Sequence, residues 1–271
     1  MNYPSKTTLI AHRGESEDAP ENTLPAYRMA VGRGFGFECD CYLSADNKVF
    51  MFHDRNLKRT TGGASEKTCW EATWEEIRDL DVGGWGKWAG SKYSGTKPAL
   101  LEDVLPLARD GRKIYLEVKN PGVEIVPRIR EILSAQNAAT PDNLLFISFR
   151  ANICKALKEQ LPDYTVYWLT AYRKGWGIGF WDDMTKPLVT TDDILATLRE
   201  TGADGVDCQY LPDFTTADKI DAVHAAGKSF HAWTIDNLPD ALEAFRRGVD
   251  TVTTNCAQRL LDEWGASAPR G

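Results

Sequence analysis

The sequence predicts an α/β fold, a TIM (β/α)8 barrel, on three observations. The chain has 271 residues, and a single barrel of this kind takes about 250. Short apolar runs typical of strands recur along it, at residues 7–12, 36–43, 114–119, 144–148, 165–169, 205–209, 229–234 and 251–255. Segments with helical periodicity alternate with them, at 23–33, 102–109, 123–135, 151–160, 192–200, 216–226 and 239–246. Such alternation of strands and helices favours a closed parallel sheet.

One connection is too long for an ordinary loop between a strand and a helix. Residues 54–101 separate the second strand region from the next predicted helix and carry aromatic side chains among several glycines, namely Trp70, Trp74, Trp85, Trp88 and Tyr93. We therefore predict one catalytic domain over residues 1–271, with a small insertion at about 55–98 that caps the mouth of the barrel. A second aromatic run, from Tyr167 to Trp181, is predicted at the same rim. Its rings either contact a bound molecule or pack the loops together.

Composition excludes several functional classes. The net charge is −7 and 42% of the residues are hydrophobic, so a core can form while binding to nucleic acid or to an anionic membrane is disfavoured. No apolar run approaches 18 residues, so we expect no stable membrane insertion. The first six residues are short and polar, unlike a signal peptide. We expect a cytoplasmic protein from the chain as it stands, and a periplasmic or secreted one if a leader has been removed.

Two of the four histidines follow short, β-prone runs near the start of the chain. His12 follows residues 7–11, and His53 follows residues 49–52. Their side chains are therefore predicted at strand ends, where α/β folds place their chemistry. A single histidine in such a place is often only a polar partner within a loop. Two of them near a set of carboxylates indicate a functional site instead.

Three carboxylates form a candidate metal site. Glu38 and Asp40 are two residues apart on one predicted strand, and Glu117 and Lys119 are two apart on another, so each pair shares a face. Clustered buried carboxylates repel one another unless one is protonated or a cation neutralises them. Without zinc-type ligand spacing, the set favours one divalent cation, Mg²⁺ or Ca²⁺. The alternative is an ion-pair network with Arg13 and Lys119.

The cysteines and one short segment have simpler structural interpretations. Six cysteines occur without CxxC spacing and are predicted to be reduced. Cys39 and Cys41 should point away from the carboxylates by the alternation that brings Glu38 and Asp40 together. The segment 20–23, Pro-Glu-Asn-Thr, is compatible with a helix start at Asn22 and Thr23, or with a direct role of Glu21 or Asn22 in holding the site.

The order of these motifs resembles the glycerophosphodiester phosphodiesterase family, from residue 7 to about 260. The shared motifs are His-Arg-Gly at 12–14, Pro-Glu-Asn-Thr at 20–23, Glu-x-Asp at 38–40, His-Asp at 53–54, Glu-x-Lys at 117–119 and Ala-Trp-Thr-Ile-Asp at 232–236. The resemblance implies a TIM barrel that holds one divalent metal. It assigns the metal to Glu38, Asp40 and Glu117, acid–base catalysis to His12 and His53, phosphate contacts to Arg13 and Lys119, and a substrate contact to Trp233.

The implied reaction is metal-dependent hydrolysis of a small-molecule glycerophosphodiester to glycerol 3-phosphate and an alcohol. The attacking group is either water or the neighbouring glycerol hydroxyl, which would pass through a cyclic phosphate. The sequence does not assign the acid and base roles between His12 and His53, nor an oligomeric state. Two alternatives stay open. One is a lysophospholipid or sphingolipid phosphodiesterase, phospholipase D-like, on a related barrel, and the other is a catalytically silent barrel that binds phosphate.

Overall fold

The chain forms a closed barrel of eight parallel strands, with one extra strand beside it. The computed structural model describes residues 3–108, 112–136, 138–171 and 189–267. The strands are β1 Leu9–Ala11, β2 Gly36–Leu43, β3 Val49–Met51, β4 Ile114–Val118, β5 Leu144–Ser148, β6 Thr165–Thr170, β7 Gly205–Gln209, β8 Ser229–Trp233 and β9 Thr251–Thr254. They follow the order β1-β9-β8-β7-β6-β5-β4-β2-β3, and pairing of β1 with β2 closes the ring. The predicted TIM barrel is confirmed.

Helices connect successive strands. They are α1 Leu24–Arg33, α2 Trp74–Ile77, α3 Leu101–Val104, α4 Ile125–Ala135, α5 Ala151–Gln160, α6 Thr191–Thr201, α7 Ala217–Ala225, α8 Leu238–Arg247 and α9 Ala257–Ser267, with short 3-10 helices at Gly86–Trp88 and Leu105–Leu107. Helix α1 begins after Thr23, whose side chain accepts a hydrogen bond from the Ala26 amide, and it ends at Gly34 with a left-handed φ of 93°. These are the start and stop signals that the sequence contains.

The run at 49–52 forms a strand before His53, as predicted, but this strand is not one of the eight that close the barrel. Strand β3 pairs antiparallel with β2, so it runs from the rim of the barrel back along β2. Met51 lies opposite Cys41, and the Phe52 amide donates to the Asp40 carbonyl. His53 therefore follows a returning hairpin strand and not a barrel strand. The hairpin brings His53 back to the level of Asp40.

Apolar side chains pack in three places. One large cluster lies between the barrel and its helices and includes Cys39 and Cys41, which face away from the barrel interior as predicted. A small cluster fills the inside of the barrel, with Ile10 and Tyr115 among its members. A third joins β2 and β3 to the segment that follows them, through Leu57 and other side chains. All six cysteines are buried and form no disulfide bond, and no helix in the described part of the chain is long and apolar enough to cross a membrane.

Candidate active site

A cavity of about 620 Å³ lies at the carboxyl ends of the barrel strands. Seven of the eight predicted site residues line it: His12, Arg13, Glu38, His53, Glu117, Lys119 and Trp233. Asp40, the eighth, is 1% exposed and lies against this group. The structure thus brings all the predicted residues together, although they come from five different strands or the loops that follow them.

The three predicted metal ligands form a buried cluster. Oxygen atoms of Glu38, Asp40 and Glu117 lie within 4.8 Å of one another. Asp40 and Glu117 are direct neighbours in the register of β2 and β4, so the two strands present their carboxylates at the same height. Lys119 places its Nζ 3.2 Å from Asp40 Oδ1 and 3.1 Å from Glu117 Oε1. The Arg13 amide donates to Glu38 Oε2 at 2.9 Å.

The charge of this cluster is not balanced by its neighbours. Burial, followed by the charges of Asp40 and Glu117, raises the pKa of Glu38 well above its ordinary value. Burial and the Asp40 charge also raise the pKa of Glu117. Although burial favours the protonated acid, the Lys119 ammonium holds the pKa of Asp40 below its usual range. When all three groups are ionised, Lys119 and Arg13 thus offset only two of three negative charges, an imbalance that a hard divalent cation would remove.

A buried oxygen in the cluster points to the same conclusion. Among the described residues, Glu38 Oε1 is buried without a hydrogen-bond partner. Carboxylate oxygens at this spacing suit a cation that prefers oxygen ligands. Glu38, Asp40 and Glu117 therefore fit a resident divalent cation. The ion pairs to Lys119 coexist with this arrangement, since Asp40 Oδ1 and Glu117 Oε1, like Glu38 Oε1, are buried without a hydrogen-bond partner among the described residues.

His12 belongs to a hydrogen-bonded chain that fixes its tautomer. Its Nδ1 donates to Asn255 Oδ1 at 2.7 Å, while Asn255 Nδ2 donates to Asp236 Oδ2 at 2.7 Å. The Asp236 carboxylate therefore orients the amide, and the amide holds the proton on Nδ1 of the imidazole. The Nε2 lone pair is left on the side of Glu38, whose Oε2 is 3.9 Å away. Burial and the Arg13 charge lower the pKa of His12 to about 3, so the ring is neutral at pH 7.

His53 is oriented by a carboxylate instead of an amide. Its Nδ1 donates to Asp54 Oδ1 at 2.8 Å, and its Nε2 accepts from Arg13 Nη2 at 2.7 Å. Burial and the charges of Lys119 and Arg13 lower the pKa of His53 to about 4, while the charge of Asp40 and the bond to Asp54 oppose this shift. Both imidazoles therefore present Nε2 toward the cavity and hold their proton on Nδ1.

Segment 20–23 serves both of the roles considered for it. Thr23 caps helix α1, and Asn22, with a left-handed φ of 56°, donates its side-chain amide to Asp40 Oδ2 at 2.9 Å. Glu21 accepts from Arg13 Nη1 at 2.7 Å and from Arg59 Nη2 at 2.6 Å. Arg59 also donates from Nε to Asp54 Oδ2 at 2.6 Å. The loop thus begins a helix and orients the charged groups of the site.

The turn after His12 needs a glycine. Arg13 and Gly14 both have positive φ values, 56° and 79°. A Cβ at Gly14 would lie 2.6 Å from the backbone carbon of Ala26 in α1, so no side chain fits there. This close approach directs Arg13 into the cavity and brings the start of α1 against the site.

The opposite wall of the cavity is mostly apolar. It consists of Ile147, Phe149, Leu169 and Trp233, together with the carboxyl group of Asp207. Phe149 and Trp233 meet edge to face with ring centres 5.5 Å apart. The Trp233 Nε1 donates to the Asp207 carbonyl at 3.1 Å. Trp233 therefore forms part of this wall and is held in place by the neighbouring strand.

The predicted aromatic rims are only partly as expected. The described residues that line the cavity include none from 55–98. The insertion reaches the site through Arg59, whose guanidinium lies 4.7 Å from the ring centre of Trp85. Tyr167 lies within β6 and stacks inside the barrel, against His231 at 4.1 Å, because strand alternation turns it inward. The part of the second run at 172–181, with Trp176 and Trp181, lies outside the described residues.

The sequence did not predict several groups around the imidazoles. Asn255 and Asp236 hold His12, Arg59 binds Asp54 beside His53, and Asp207 faces the cavity from across the barrel. A signal for Asn255 was present, because it continues the alternation of Thr251 and Thr253 at the end of a predicted strand. No signal in the sequence identified Arg59, because its position depends on how the insertion folds.

Known proteins share this sequence pattern and fold. Residues 12–258 match the glycerophosphoryl diester phosphodiesterase family. A glycerophosphodiester phosphodiesterase of Caldanaerobacter subterraneus is 26% identical over 95% of this chain and 97% of its own. Another, of Bacillus subtilis, is 27% identical over 93% of this chain and 84% of its own.

Solved structures agree with the sequence comparison. An Oleispira antarctica phosphodiesterase in complex with the product sn-glycerol-3-phosphate has a TM-score of 0.77 at 26% identity, over 94% of this chain and 95% of its own. A putative glycerophosphoryl diester phosphodiesterase of Silicibacter pomeroyi, at 22% identity, shares the fold with a TM-score of 0.78 over 97% and 96% of the two chains. The family match extends over nearly the whole barrel and includes every predicted site residue. The chain belongs to the glycerophosphoryl diester phosphodiesterase family.

Proposed function

We propose that this protein hydrolyses small-molecule glycerophosphodiesters to glycerol 3-phosphate and an alcohol, with a bound divalent cation. The observation that carries the proposal is the position of two imidazoles, each with Nε2 toward a cavity that also holds three buried carboxyl groups, whose proximity helps to raise the pKa of Glu38. General acid–base catalysis needs one group that accepts a proton and one that donates a proton, and an imidazole can serve in either role. We further propose that residues 1–271 form one catalytic domain with an insertion at 55–98, and that it acts in the cytoplasm.

Glu38, Asp40 and Glu117 are the proposed ligands of one Mg²⁺ or Ca²⁺ ion. When bound, such a cation would polarise the phosphate and stabilise the negative charge that develops on it in the transition state. Arg13 and Lys119 line the same part of the cavity and would bind non-bridging phosphate oxygens. Trp233 would contact the group esterified to the phosphate. The acidic net charge of the chain makes these two local cations the main attraction for an anionic substrate.

The two imidazoles differ in their hydrogen-bond partners, and this difference supports separate roles for them. His12 donates to a neutral amide, Asn255, and its pKa is about 3, so its Nε2 is available to remove a proton from the attacking oxygen. His53 donates to the carboxylate of Asp54, which favours the imidazolium. We therefore propose His12 as the base and His53 as the acid that protonates the departing alcohol. For this step Arg13 would leave His53 Nε2 and bind the phosphate.

The test is release of glycerol 3-phosphate from glycerophosphocholine, glycerophosphoethanolamine and glycerophosphoglycerol. The enzyme is stripped with EDTA and then assayed with Mg²⁺ or Ca²⁺ added back. We expect release that EDTA abolishes and one of the two ions restores. Activity on lysophosphatidylcholine or sphingomyelin, with none on the three water-soluble substrates, would favour the lipid phosphodiesterase instead. Phosphate binding without turnover of any substrate would indicate a silent barrel.

A further inference from the structure

One buried acid in the cavity has no part in the proposed mechanism. Asp207 lies on β7, which the strand order places across the barrel from β2 and its carboxylates. The residue is 1% exposed and lines the cavity. In the described part of the chain, its Oδ1 is buried and has no hydrogen-bond partner. Buried polar atoms without partners are uncommon in folded proteins, and each one needs an explanation.

The surroundings of Asp207 determine which form of the acid is present. Leu169 is its direct neighbour in the register of β6 and β7, and Ile147 and Phe149 line the same wall. Burial in this apolar wall, followed by the charge of Glu117, raises the pKa of Asp207 well above its ordinary value. This shift favours the protonated form of the side chain. A neutral acid offers one O–H donor and retains acceptor lone pairs.

We propose that Asp207 binds a hydroxyl group of the substrate's polyol portion at the apolar end of the cavity, and that it thereby selects polyol phosphates over alkyl phosphates. This inference rests on the proposed function, because the phosphate must lie beside Arg13 and Lys119 for its substituent to reach the opposite wall. Asp207 is the group on that wall with an unsatisfied buried oxygen. A hydroxyl both donates and accepts, so it can accept from the O–H group of the acid and donate to its other oxygen.

A cationic headgroup is a poorer partner for this acid. A quaternary ammonium carries no N–H group and cannot donate to the unsatisfied oxygen. It would favour the ionised carboxylate, which the apolar wall and the Glu117 charge both oppose. The hydrogen-bonding requirement at Asp207 therefore indicates a hydroxyl, whichever alcohol forms the other ester.

The inference is tested by the binding of two phosphates that share a three-carbon chain. Calorimetry in Mg²⁺ or Ca²⁺ compares sn-glycerol 3-phosphate with propyl phosphate, which lacks both hydroxyls. We expect the intact protein to bind glycerol 3-phosphate at least about tenfold more tightly, the effect of one well-placed hydrogen bond. Asp207→Leu should remove most of that preference, while Asp207→Asn, which still donates and accepts, should keep it. Leu169→Ala is the matched control from the same wall, and it should change the affinity of both ligands alike.

Two outcomes overturn the inference. One is an undiminished preference for glycerol 3-phosphate in Asp207→Leu. The other is an equal loss of affinity for both ligands in that variant. Failure of the proposed function would appear elsewhere, as absence of glycerophosphocholine turnover in the unmodified protein. Folding is checked by thermal melting, and Asp207→Ala, which also lacks a hydrogen-bonding side chain and should lose the same preference, takes the place of the leucine variant if that variant does not fold.

Discussion

Glu38→Gln is expected to stabilise the metal-free protein while removing its response to metal. Glu38 is 3% exposed, and its pKa is raised well above 4.5 by burial and by two neighbouring carboxylates. The folded protein therefore favours the protonated acid at a pH where the unfolded chain carries the ionised group. Over three pH units, at about 1.4 kcal/mol each, this costs at most about 4 kcal/mol. Glutamine avoids the cost and keeps an oxygen that can accept from the Arg13 amide.

The size of the effect depends on pH. A carboxyl group whose pKa is raised on folding binds more protons in the folded state, so it destabilises the protein as pH rises above about 4.5. Glu38→Gln should therefore equal the original protein near pH 4 and exceed it increasingly toward pH 7.5. A gain of about 2–4 kcal/mol corresponds to roughly 4–8 °C in Tm for a chain of this length. Thermal melts in EDTA over this pH range measure the gain.

Metal addition gives the second readout of the same experiment. The unmodified protein should gain about 3 kcal/mol of stability at a cation concentration one hundred times the dissociation constant, and the variant should gain much less. Glu15→Gln is the matched control, because Glu15 is also buried, with a pKa raised to about 7 chiefly by burial, but it lies outside the carboxylate cluster. That control should gain stability at high pH and keep the metal response. A less stable Glu38→Gln in EDTA, or one with an intact metal response, would refute the reasoning and favour the pure ion-pair network.

Three further predictions concern the imidazoles. His12→Ala and His53→Ala should each lower kcat by about 10²–10⁴-fold, the usual contribution of a general acid or base, with near-unchanged melting curves; near-normal rates would contradict the mechanism. Asp54→Asn should lower kcat by about tenfold or more, because an amide no longer favours the imidazolium of His53, and pH–rate profiles should show the acid's pKa moved downward. Asn255→Asp should raise the pKa of His12 and move the basic group's limb of the kcat/KM profile to higher pH; an unmoved limb would assign the base elsewhere.

Local periodicity accounts for the part of the site that could be predicted. Alternation along β2 and β4 was enough to put Glu38 beside Asp40 and Glu117 beside Lys119, because strand geometry depends only on neighbouring residues. The prediction that Cys39 and Cys41 face outward follows from the same rule and is confirmed. Such rules fix the side of a strand on which a residue lies. They do not fix which strands face each other.

Contacts across the barrel and from the insertion required the structure. Asn255 contacts His12 only because β9 pairs with β1. The two residues are 243 positions apart in the sequence. Strand β3 runs antiparallel to β2, and its apolar run alone does not specify this direction. Arg59 reaches Asp54 only through the fold of the segment that follows His53. Each of these depends on long-range packing, which a single sequence does not specify.

Arg13 connects the groups whose ionisation the reaction requires. Its guanidinium donates to Glu21 and to His53 Nε2, and its Nε lies 3.8 Å from Asp40 Oδ2. A phosphate that binds Arg13 would compete with His53 for the same donor and would release its Nε2. The negative charge of that phosphate would also favour the imidazolium. Substrate binding would therefore raise the pKa of His53 from about 4 in the free protein and prepare it to act as an acid, while Asn255 keeps His12 neutral on the other side of the site.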